Sequence, residues 1–163
     1  MQVKVDPQKD ICSIETYLKT DVATVSLWDP QTSNICLIID TGSDGNFKTI
    51  VNFGLELSQE HQKLVYKSEK GINISTKGDL YLGSSEWIST NPIEALEQNH
   101  VDVLNLPAGQ YVVDVFSLLV KDDSGKPKNI QFAFCIFLVE KYNKSEGIEL
   151  HSVTDPIILK YTG

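Results

Sequence analysis

Short runs dominated by Val, Ile, Thr, Phe and Tyr recur along the chain, and between them stand Gly, Pro, Asn and Asp, the residues that break strands and form turns. The runs at 11–18, 21–28, 33–40, 47–57, 62–67, 71–76, 79–82, 100–106, 110–121, 128–141 and 156–161 are expected as strands. Alternation is imperfect in Val22-Ala23-Thr24-Val25-Ser26-Leu27-Trp28, yet β-branched residues dominate. This pattern predicts an all-β fold, mainly an antiparallel β-sandwich, with one or two short helices.

The pair 110–121 and 128–141, joined by Asp122-Asp123-Ser124-Gly125-Lys126-Pro127, reads as a hairpin. In its second run Phe132, Phe134, Ile136 and Leu138 alternate with Ala133, Cys135, Phe137 and Val139, so both faces are apolar. Such a hairpin should lie centrally, or its second face should pack on a helix or on another subunit. A two-turn helix is expected at Asn91-Pro92-Ile93-Glu94-Ala95-Leu96-Glu97-Gln98, where Asn91 caps, Pro92 takes the first helical position and Glu94 reaches back to the cap. A shorter turn is expected after Ser58.

A chain of 163 residues fits one domain, here residues 1–163, and 41% hydrophobic residues with 22% charged ones place it among folded globular chains. The opening residues, Met1 to Asp6, lack a signal-peptide pattern, and no apolar run approaches the ~18–20 residues of a membrane span. A soluble, cytoplasmic protein that does not engage membranes is the expectation. Cys12, Cys36 and Cys135 are far apart and sit in apolar runs, as reduced, buried thiols do.

Charge changes the picture more. Acidic residues number 22 against 14 basic ones, giving −8, and every basic residue is lysine. Arginine supplies the planar fork that grips phosphates and guanine edges, so its absence beside a negative net charge argues against nucleic acid as a partner. From Lys77 to Lys121 no lysine intervenes, while Asp79, Glu86, Glu94, Glu97, Asp102 and Asp114 all fall there. With Trp87 as an aromatic anchor, the residues Asp79, Glu86, Trp87, Glu94, Glu97 and Asp102 form the candidate partner-binding surface, one that would steer a basic protein toward it.

Catalytic and metal chemistry finds little support. Leu37-Ile38-Ile39-Asp40-Thr41-Gly42-Ser43 resembles the Asp-Thr-Gly-Ser motif of aspartic proteases, whose mechanism needs two carboxylates sharing a proton. The chain holds one copy, so a homodimer would have to supply the second. Read as a calcium loop, the same stretch has Gly42 at its third position and Val51 at its twelfth, where glutamate is required. His61, His100 and His151 lie apart with no ligand spacing, and no phosphate-binding glycine loop occurs. No cofactor and no metal is expected, and the chain reads as a non-enzyme.

Gly71-Ile72-Asn73-Ile74-Ser75, followed by Leu104-Asn105-Leu106-Pro107-Ala108-Gly109-Gln110-Tyr111, resembles the bacterial competence nuclease-inhibitor family, which carries a Gly-Ile-x-Ile element and then Leu-Pro-x-Gly-x-Tyr. Residues 77–101 stand as an insertion relative to that family. The resemblance implies an acidic protein that blocks a nuclease by direct binding, without catalysis of its own, and it assigns no individual binding residue. The expected function is therefore that of an inhibitor or immunity-type protein acting on a basic nuclease or toxin. The alternatives are an aspartic protease-like homodimer using Asp40 and a self-associating structural β-domain.

Overall fold

In the computed structural model the β-branched runs become strands because each offers one or two apolar faces that a sheet can bury. The structure describes residues 2–4, 12–20, 24–40, 45–53, 56–88, 94, 101–119, 123–124, 134–147, 149–153 and 155–158, with the backbone alone for 2–4, 12–20, 45–47, 134 and 158. The elements are β1 (Gln2–Lys4), β2 (Cys12–Thr20), β3 (Thr24–Trp28), β4 (Ile35–Asp40), β5 (Gly45–Phe53), α1 (Gln59–Gln62), β6 (Val65–Thr76), β7 (Leu80–Ser84), β8 (Val101–Asn105), β9 (Gly109–Leu118), β10 (Phe134–Lys141) and β11 (Ile157–Ile158). Single 3-10 turns stand at Ser85–Trp87 and Lys144–Glu146. The fold is all-β, as the pattern predicted. Most of the expected helix at 91–98 lies outside the described residues.

The strands form two sheets, one of six in the order β1-β8-β7-β3-β4-β11 and one of five in the order β2-β5-β10-β9-β6. Most neighbours are antiparallel, while β1 with β8, β5 with β10 and β4 with β11 run parallel. The sheets face each other across one core, to which the first contributes Val25, Leu27, Ile39 and Leu82 and the second Phe53, Val113, Cys135 and Phe137. Burying each such aliphatic or aromatic side chain is worth about 1.5–3 kcal/mol relative to exposure. A small apolar void remains among Leu27, Val51, Leu82, Leu104, Val113, Phe137 and Val139.

Both outer faces carry apolar residues too, which explains the doubly apolar runs. β9 and β10 occupy the interior of the five-stranded sheet, and their outward Phe116, Leu118 and Ile136 pack with Leu57 and Leu64, which flank α1. Ser58 caps that turn by accepting from His61 N at 3.2 Å, and Leu119 N donates to the Leu64 carbonyl at 3.0 Å. The Leu104–Tyr111 segment also has a structural account. Leu104, Leu106 and Tyr111 are buried, while Pro107 and Ala108 form the exposed turn. Tyr111 Oη donates to the Pro107 carbonyl at 2.6 Å and fixes the bend.

One expectation needs correction. The runs 62–67 and 71–76 are a single strand, β6, because Gly71 makes a bulge and not a turn. Gly71 has φ +73°, and its N–H donates to Asp114 Oδ1 at 2.8 Å. His151 pairs beside this bulge: Asn73 N donates to the His151 carbonyl at 2.8 Å, and His151 N donates to the Gly71 carbonyl at 3.0 Å. Val153 and Ile157 then pack on the main core, and β11 pairs with β4. His151 and β11 thus fasten an edge of each sheet.

Candidate functional site

The outward row of the six-stranded sheet is built from Trp28 on β3, Tyr81 on β7 and Val103 on β8, cross-strand partners in register. Trp28 and Tyr81 meet edge to face, with centroids 6.0 Å apart and planes at 71°. In the next row Ser26 faces Gly83 on β7. The chain leaving β7 returns to this row. Ser85 Oγ lies 2.7 Å from Ser26 Oγ, Ser84 Oγ donates to Glu86 Oε1 at 3.2 Å, and Ser33 Oγ donates to the Ile88 carbonyl at 3.5 Å. Trp87 and Ile88 are thereby laid, half-buried, over Trp28, Tyr81, Val101 and Val103.

The candidate residues do not all share this surface. Asp79 is exposed in the turn before β7, and Glu86 and Glu94 are exposed as well. Trp87 is half-buried as a cover for the sheet, and Glu97 lies outside the described residues. Asp102 must be removed from the surface: it is 5% exposed and is the cross-strand partner of the core residue Leu82, so it points toward the interior. The reason is its strand phase, since Val101 and Val103 already occupy the outer row.

Negative charge is felt where it sits beside buried groups. Burial and then the charge of Asp79 push the Tyr81 phenol up from its ordinary range. Burial, and after it Asp29, push the Cys36 thiol up to about 11. Asp29 also orders the turn into β4 by accepting from Gln31 N at 2.8 Å. Asp40 is the half-buried last residue of β4, opposite Thr24 on one side and Ile158 on the other, and Thr41, Gly42 and Ser43 lie outside the described residues. Among the described residues no three His, Cys, Asp or Glu side chains are placed to hold a metal ion, and no helix is long and apolar enough to cross a membrane.

Topology adds a feature that linear reading missed. A second lysine-free stretch, residues 20–47, contains Asp21, Asp29, Asp40 and Asp44. It supplies β3 and β4, while the lysine-free stretch after Lys77 supplies β7 and β8. These four strands are adjacent in the order β8-β7-β3-β4, so the middle of one sheet contains no cation at all. The lysines on β5, on β6 and before β6 (Lys48, Lys63, Lys67, Lys70) belong to the other sheet and its approach. The signal was present in the sequence, but its meaning depended on which strands become neighbours.

No family model matches the chain, and no curated protein matches it. Among solved structures, a chain described as "Crocagin biosynthetic gene J" is similar at 13% identity, with a TM-score of 0.45 over 82% of this chain and 98% of that one. That likeness carries no functional argument.

Proposed function

We propose that this chain is a protein-binding inhibitor of the immunity type, which occludes the basic cleft of a nuclease or toxin with the negative side of its six-stranded sheet. The observation that carries this reading is the segregation of charge: four adjoining strands drawn from two separate stretches of sequence hold no lysine, while Asp79 and Glu86 stand on either side of β7 and Asp40 ends β4. Exposed Asp79, Glu86 and Glu94 present carboxylates where a basic cleft expects phosphates. The local resemblance to competence nuclease inhibitors points in the same direction.

A field of this kind acts mainly on encounter, raising association rates by roughly 10–10³-fold at low salt and fading as the Debye length shrinks to ~8–10 Å. The test is capture from native extract at low salt, elution at raised salt, and then kinetics with the captured protein. The variant Asp79→Asn/Glu86→Gln/Glu94→Gln should slow association about tenfold or more with little change in dissociation. An association rate unmoved by the triple variant and by salt would rule the reading out.

A further inference from the structure

β4 carries two features that the acidic-sheet reading leaves unused. Leu37 and Ile39 are buried in the main core, while Ile35 and Ile38 look outward, and Ile35 is exposed to 42%. It is the one exposed large hydrophobic residue among the described residues. Ile35 is also the cross-strand partner of Trp28, so it continues the apolar surface that Trp87 and Ile88 cover only in part. A bulge at Cys36 turns that side chain toward the core and leaves Ile35 facing out.

Part of the strand's edge also has no strand partner among the described residues. β11 pairs with β4 at Ile39 and Asp40, and among the described residues no strand pairs with Ile35–Ile38 on that side. From Ile35 to Ile39 there is neither a charge nor a proline, the devices that usually protect an edge from strand addition. The charges that do flank the strand are of one sign: Asp29 before it, Asp40 at its end, and exposed Asp155 just ahead of β11.

We infer that β4 is a docking strip for an extended segment of a partner protein that bears an apolar residue between lysines or arginines. The apolar residue covers Ile35 and Ile38, the backbone lies along that part of the edge, and the cations face Asp29, Asp40 and Asp155. The inference rests on the acidic-sheet reading and adds where on that sheet contact is made. A second copy of this chain fits poorly, because it would bring β4 and its lysine-free neighbouring strands against their own copies and set like charges against each other.

The probe is a fluorescein-labelled peptide, Lys-Val-Lys-Val-Lys-Val, titrated into the full chain with Glu-Val-Glu-Val-Glu-Val as its control. The lysine peptide is expected to bind and the glutamate peptide not to. Ile35→Lys should weaken binding about tenfold or more and Ile35→Thr by a smaller factor. Both replace an exposed side chain, so melting temperatures within a few degrees of the parent verify the fold. Amide exchange within Ile35–Ile38 should slow on binding at the alternate positions whose N–H faces away from β3. Salt-sensitive binding that ignores Ile35→Lys and leaves those amides unprotected overturns the docking strip and spares the acidic sheet. Absence of lysine-peptide binding, or equal binding of both peptides, overturns the two together.

Discussion

Replacing Gly71 by alanine tests whether the bulge in β6 exists to admit the segment around His151. The native φ of +73° costs a residue with a Cβ about 1–2 kcal/mol. A Cβ built there would lie 2.8 Å from the Glu149 carbonyl oxygen, a backbone atom with no flexible arm to swing away. The 149–153 segment must therefore retreat, and with it go the hydrogen bonds from Asn73 N to the His151 carbonyl and from His151 N to the Gly71 carbonyl. At about 0.5–1.5 kcal/mol each, these bring the expected loss to about 2–5 kcal/mol. Gly147 is the control, since its φ of +67° is equally unfavourable but its Cβ would meet nothing within 4 Å. Gly147→Ala should cost only the backbone share, about 1–2 kcal/mol. Urea unfolding with unchanged m-values would measure both, and hydrogen exchange would report whether the Asn73 and His151 amides open. Equal losses for the two variants, with those amides still protected, would refute the steric argument.

Three further outcomes are expected. With its thiol raised to about 11, Cys36 should be alkylated at pH 8 roughly 100-fold more slowly than an ordinary exposed cysteine, measured in a Cys12→Ser background, and buried Cys135 should react only on unfolding. Because both thiols are held neutral by the fold, their contribution to stability is complete below their ordinary value near 9 and declines as pH rises above it. The urea midpoint should fall between pH 9 and 11, and Cys36→Ser should lessen that fall. Val51→Ile, aimed into the apolar void, should add up to about 1 kcal/mol, whereas Leu82→Ala from the same wall should cost about 2–5 kcal/mol, both read from denaturant midpoints.

Strand positions were legible because β-branched runs and their turn residues are local signals, and so was the cap at Ser58. The interior position of β9 and β10 was legible for a related reason, since two apolar faces need two coverings. The runs 62–67 and 71–76 were read as two strands because a glycine after lysine looks the same in a bulge as in a turn, and only the register with β9 separates them. Asp102 was misread because β8 is buried on both faces, so alternation there does not say which side is wet. The parallel pairings and the union of two distant lysine-free stretches were not legible at all. They depend on contacts between segments far apart in sequence, about which local pattern is silent.

The double fastening by His151 and β11 also sets a timetable. As the chain is synthesised, β4 can pair with β3 early, and β6 with β9 once Leu118 has emerged, yet neither gains its remaining partner until His151 and Ile158 are made. β1 likewise waits for β8, some hundred residues behind it. Non-local pairings of this kind slow folding and leave strand edges exposed in the interval. The nascent chain should therefore be most in need of chaperones, and most prone to stick to its own copies, just before that final stretch leaves the ribosome.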